Sequence, residues 1–133
     1  MIDVRELRIN NYVLCKNEVC RVNMINRGDI VEVSTIDSDS VRECFVEDIL
    51  SDRIYPIPLT EELLLKCGFK KINHISGYSF FSMERNNKNG ANIDIYKSYS
   101  TVGSNTSVPH IQFLHQLQNI YFALTGKELE VTI

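Results

Sequence analysis

This chain has no tryptophan, three prolines, six glycines and no surplus of charge large enough to define a partner. Each shortage excludes something. So little proline and glycine among 133 residues rules out collagen-like repeats and low-complexity linkers. A formal net charge of −3 and a pI near 5.6 lack the basic excess from which nucleic-acid binding normally starts. No apolar run approaches the roughly 20 residues that span a bilayer, and Met1-Ile2-Asp3-Val4-Arg5-Glu6 lacks the form of a secretory signal. No membrane partner is therefore expected. The four cysteines, at 15, 20, 44 and 67, have no zinc-knuckle spacing, and without an export signal they read as reduced thiols of a cytoplasm. No metal and no cofactor is expected.

What is present suits a soluble globular protein. The chain is 44% hydrophobic and 23% charged with a mean hydropathy of −0.13, and its length allows one ordinary domain or two small lobes. Residues 1–58 hold eleven acidic and seven basic side chains, against six and seven in residues 59–133. The shift falls at Ile54-Tyr55-Pro56-Ile57-Pro58, where two prolines punctuate the chain, so two parts are expected: 1–58 and 59–133.

The first part reads as short strands. Tyr12–Cys15, Val19–Ile25 and Ile30–Ser34 are rich in β-branched residues and are separated by polar turn sequences. Val22 and Met24 alternate with Arg21 and Asn23, a two-residue period. Strands this short and this tightly joined predict an SH3-like small β-barrel. The second part opens with a helix: Thr60 is a good N-cap, Glu61 and Glu62 suit the first turn, and Gly68 suits the C′ position. An antiparallel hairpin unit follows over Phe69–Tyr99, with Ser100–Pro109 as an exposed loop. The spacing of His110, Phe113, Leu114, Leu117, Ile120, Tyr121 and Leu124 predicts a long closing helix over about 110–124. The expected fold class is α+β.

Three stretches carry a resemblance. Arg5-Glu6-Leu7-Arg8-Ile9-Asn10-Asn11-Tyr12-Val13, Pro56-Ile57-Pro58-Leu59-Thr60-Glu61-Glu62 and His115-Gln116-Leu117-Gln118-Asn119-Ile120-Tyr121-Phe122-Ala123-Leu124-Thr125-Gly126 stand in this order. Together they resemble a family of small uncharacterised proteins from gut Bacteroidetes bacteria and their phages or prophages. The resemblance implies a bacterial or phage cytoplasm and supplies no catalytic residue.

Reactive-looking side chains are scattered. Asp37-Ser38-Asp39-Ser40-Val41 looks like the nucleophile motif of haloacid-dehalogenase-type phosphatases, yet no long amphipathic helix follows it, and a turn explains the two aspartates more simply. His110 and His115 are five apart, so on a helix they could not share a metal ion. The chain is accordingly not expected to be an enzyme, and a metal-dependent phosphoesterase is the remote reading.

The closing helix is unusual for what it omits: His110–Gly126 contains no Lys, Arg, Asp or Glu. Uncharged amides beside apolar groups suit a covered surface, because charge is depleted at interface cores. Gln112, His115, Gln116, Asn119 and Phe122 are therefore the candidate partner-binding residues, unless the chain's own sheet and the 100–107 loop cover them. The expected function is a non-catalytic protein-binding or adaptor module, with a protein partner or a second copy of itself through this helix. The alternative is nucleic-acid binding by Lys70, Lys71, Arg85 and Lys88 interleaved with Tyr78, Phe80 and Phe81.

Overall fold

The computed structural model of the chain describes residues 2, 4–25, 30–36, 41–45, 54–83, 92–103 and 106–132. Asp37, Asp39, Arg85 and Lys88 lie outside them. The described residues form two compact units: 1–58 with 113–119, and 59–112 with 120–133.

The first unit is built on an antiparallel sheet of β1 (Tyr12–Cys15), β2 (Glu18–Ile25), β3 (Ile30–Thr35), β4 (Val41–Phe45) and β5 (Ile54–Tyr55), in the order β4-β3-β2-β1-β5. The two-residue period places Val13, Cys15, Cys20, Val22, Val31, Val33 and Ile54 on one buried face, packed with Ile2 and Leu7. Lys16 and Asn17 join β1 to β2 with φ of 50° and 62°, the doubly positive backbone of a two-residue hairpin turn. A bulge between Val22 and Met24 breaks the alternation, so Asn23 is the extra residue. Its consequence is that Met24 turns outward, 48% exposed, while Ile25 packs on the core.

The second unit opens on α1 (Glu61–Lys66), capped by Thr60, whose Oγ1 accepts from the Leu63 N–H at 3.1 Å. Gly68, at φ +91°, follows this helix in the left-handed conformation that a side chain would strain. A second antiparallel sheet follows: β6 (Phe69–Asn73), β7 (Ser79–Met83), β8 (Ile93–Ile95), β9 (Ser100–Val102) and β10 (Thr106–Val108), in the order β10-β9-β8-β7-β6. Phe69 pairs with Met83, and Phe81 with Ile95, so these residues share one face with Ile93. Ile72 and Phe80 lie on the other. The last helix is α2 (Leu114–Thr125), with Gly126 at φ +71° after it.

Four expectations are corrected. The first sheet is not an SH3-like barrel: β4 and β5 are its two edges, and among the described residues nothing pairs them to close it. Ser100–Pro109 is not an exposed loop but holds the β9 and β10 strands, and Ser100 is fully buried. The closing helix begins at Leu114 and not at His110, because the preceding residues are extended against the segment 57–59. Leu59 N–H donates to Gln112 O and Leu114 N–H to Ile57 O, each at 2.9 Å, and Pro58 bridges Phe113. With ten strands and two short α-helices among the described residues, the fold is mostly β, and the expected α+β class does not stand. Among the described residues no helix is long and apolar enough to cross a membrane.

Leu117 is fully buried in the first unit. Leu117→Ala is expected to cost about 2–5 kcal/mol, from lost transfer energy and a residual cavity. Urea unfolding checks this, with Ile75→Ser, at a site 99% exposed, expected to stay within about 0.5 kcal/mol of the parent.

Candidate functional site

The amide-rich start of α2 is consumed by the unit it belongs to. Gln118 Oε1 accepts from the Tyr12 N–H at 2.8 Å and its Nε2 donates to Asn10 O at 3.1 Å. Asn119 Oδ1 accepts from Asn11 Nδ2 at 2.8 Å and Arg8 Nε at 3.3 Å, while Asn119 Nδ2 donates to Glu6 O at 2.6 Å. The receiving loop is shaped for this. Asn10 takes φ +77°, a conformation asparagine tolerates better than most residues. The buried Asn11 side chain also accepts from the Arg8 N–H at 2.7 Å. Each amide thus both donates and accepts, which a charged side chain of either sign could not do. Gln116 Oε1 accepts from the Phe113 N–H at 3.2 Å at the start of the helix. Gln112 and Phe122 are both exposed and belong to the second unit.

His115 is buried beside this clamp. Its Nε2 lies 3.2 Å from Glu6 Oε2, and Nδ1 has no partner among the described residues. A proton on Nδ1 would be buried without an acceptor. Burial accordingly lowers the pKa below the usual histidine value, against an opposing pull from Glu6.

The second unit presents a row of rings at one end of its strands. His74 stacks on Tyr78 with centroids 4.6 Å apart, Tyr78 lies 6.4 Å from Phe80, Phe80 stacks on Tyr96 at 4.6 Å, and Tyr96 on Tyr99 at 4.3 Å. The tight turn carrying His74 is held by the His74 N–H donating to Tyr78 O at 2.8 Å, with Gly77 at φ +96°. Tyr78 and Tyr99 are each 50% exposed. Burial, the Asp94 carboxylate and the neighbouring phenols push the Tyr96 hydroxyl up, so it stays protonated near neutrality. Tyr78 and Tyr96 also line a cavity of about 520 Å³, whose floor includes Leu64, Phe81, Ile95 and Ile111.

The two lysines of the alternative site separate. The pairing of β6 with β7 sets Lys70 opposite Ser82, on the face of Phe80, and Lys71 opposite Phe81, on the other face. Lys71 Nζ pairs with Glu61 Oε1 at 3.4 Å. Tyr78 and Phe80 join the row, whereas Phe81 lines the cavity. Sequence reasoning missed Tyr96, Tyr99 and His74 as partners of these rings. The available signal was the spacing Tyr78-x-Phe80 and Tyr96-x-x-Tyr99 in two stretches expected to pair.

Cys15, Cys20 and Cys67 are buried, and burial pushes the Cys67 thiol up to about 11. Among the described residues no three His, Cys, Asp or Glu side chains come together as a metal site.

Two outcomes follow. Unfolded, the His115 ring titrates near 6.5, and folded, below it. As pH falls through 6.5 the unfolded chain gains a proton that the native ring refuses, so stability drops until the native value is passed. Between about pH 7.5 and pH 5.5 the parent should therefore lose more stability than His115→Gln, read from urea midpoints. Gln118→Ala strands the Tyr12 N–H and Asn10 carbonyl and is expected to cost about 1–3 kcal/mol by the same measurement. No family model, curated protein or solved structure matches this chain.

Proposed function

We propose that this chain is a non-catalytic binding module of a bacterial or phage cytoplasm, acting by contact with a protein surface, a second copy of itself first among them. The observation that carries the reading is the ring row His74, Tyr78, Phe80, Tyr96, Tyr99, which keeps large aromatic area in contact with water. Folding gains little from rings left in solvent, whereas aromatic side chains dominate the energetics of protein contacts. Contiguous apolar surface of this kind marks interaction sites. The side chains of Tyr and Phe are also stiff, so ordering them at an interface costs little entropy.

Sedimentation equilibrium over a wide concentration range tests this. The expected result is a reversible dimer weakened at least about tenfold, or 1.4 kcal/mol, by Tyr78→Asp with Tyr99→Asp. A dimer lost instead on Phe122→Glu moves the interface to the end of α2. A monomer at every concentration removes the second copy as partner.

Nucleic-acid binding is the second reading, supported by Lys70 on the face of Phe80. Single strands are held by stacked bases and phosphate contacts together. An oligonucleotide mobility shift that weakens with salt and is lost on Lys70→Glu would favour it over the protein reading.

A further inference from the structure

The open edge of the second sheet carries a pattern of its own. β6 has β7 on one side and, among the described residues, no strand on the other, and the chain is exposed continuously from Lys70 to Ser79. The ladder decides which backbone groups this leaves open. The His74 N–H donates to Tyr78 O, so 74 and 78 are a hydrogen-bonded pair, and in an antiparallel ladder such pairs alternate. Ile72 with Phe80 and Lys70 with Ser82 are the next ones, and their backbone groups are spent on β7. The N–H and C=O of Lys71 and Asn73 point the other way, and among the described residues no hydrogen bond takes them up. Between them stands Ile72, 39% exposed and on the face of Phe80.

An open edge is a template for another strand, and lysines on it normally deter pairing. Here they select a register instead. A two-fold axis through Lys70 or Lys71 would set two ammonium groups directly opposite one another, which is unfavourable. An axis through Asn73 would engage only the end of the strand and set Ile72 against a histidine. An axis through Ile72 sets Lys71 opposite the partner's Asn73, and Asn73 opposite the partner's Lys71. The open backbone groups of one copy then meet those of the other, with two isoleucines side by side between them. Lys71 keeps Glu61 at 3.4 Å, which offsets its charge at the junction. Opposed residues of an antiparallel pair share a face, so Phe80 and Ile72 continue into the partner's Ile72 and the partner's Phe80 as one apolar line. The same register brings the partner's Lys70 opposite His74, whose ring is stacked on Tyr78, so the ring row reaches the junction.

We propose that two copies of this chain join edge to edge through β6, antiparallel about a two-fold axis at Ile72, so that their second sheets become one. This rests on the reading of a second copy as the partner and specifies where that copy attaches. The strand is its own complement: its two open positions flank one apolar residue, and rotation about that residue exchanges them. Such a contact closes on itself as a dimer and leaves neither β6 edge open.

Disulfide trapping and sedimentation equilibrium on the full-length chain test it. Facing residues of a non-hydrogen-bonded antiparallel pair have Cα atoms about 4.5 Å apart, within disulfide reach. Under mild oxidation Ile72→Cys should trap a covalent dimer that neither the parent nor Lys70→Cys forms. Lys71→Pro removes one outward N–H, a change that an edge strand accepts. It should weaken the dimer at least about tenfold while leaving the circular dichroism spectrum of the monomer unchanged. Asn73→Pro removes the other outward N–H and carries the test should Lys71→Pro fail to fold. Trapping through Lys70→Cys or Lys71→Cys in place of Ile72→Cys overturns the proposal. A dimer that survives both proline variants but is lost on Tyr78→Asp with Tyr99→Asp overturns the edge contact and leaves self-association standing. A chain that is monomeric at every concentration and is not trapped through Ile72→Cys overturns both.

Discussion

Two neighbouring amides, Gln118 and Asn119, set the terms for the first unit. A segment rich in backbone turns, residues 6–12, must satisfy its polar groups somewhere once it is packed, and an unsatisfied buried group costs about 1–3 kcal/mol. The helix supplies both kinds of partner from successive residues, with Gln118 serving Asn10 and Tyr12 and Asn119 serving Glu6, Arg8 and Asn11. Successive positions on a helix normally diverge by about 100°. They converge on one loop here because that loop bends, with Asn10 in the left-handed region. The absence of charge along this stretch has its cause in the same place: a buried ammonium or carboxylate would leave half of these bonds unmade and carry a desolvation penalty of its own.

The second unit distributes its aromatic residues differently. Its interior is closed by Phe69, Met83, Ile93, Ile95 and Leu64, while the tyrosines at 78, 96 and 99 stay near the end of the strands. Stacked rings at 4.3–4.6 Å shield one another's faces in part and leave edges and hydroxyls in water. A row of this kind is ordered before anything meets it, so little is lost in fixing it. The cavity shares two of these rings, which makes the row and the cavity neighbours in one region of the unit.

Local chemistry was legible in the sequence where one residue decides one backbone feature. Thr60 as a cap, Gly68 and Gly126 after helices, and the strands β1, β2 and β3 could be read directly, although the bulge at Asn23 that turns Met24 away from Val22's face could not. Features settled by partners far along the chain were not. His110 and Phe113 have helical spacing with Leu114 and Leu117, yet hydrogen bonds at residues 57–59 keep 110–113 extended. Ser100–Val108 has the composition of a loop, but pairing with β8 makes it strand. Threonine and serine serve both uses, and only a neighbouring strand decides between them. Barrel closure depends on which edges meet, a property that short strands with polar turns do not encode. The helix amides were visible as an oddity of composition, whereas their hydrogen-bond partners more than a hundred residues away were not.

The placement of residues 113–119 bears on the order of synthesis. A chain leaving the ribosome from its amino end presents Asn10, Asn11 and Tyr12 long before Gln118 and Asn119 exist to meet them. These bonds join residues 106 to 113 positions apart, so they close a very long loop of chain. Long loops of this kind slow the final step of folding. The nascent amino-terminal half therefore waits, its 6–12 loop without these partners, while the second sheet is being made, and translation must pass beyond Asn119 before the clamp can close.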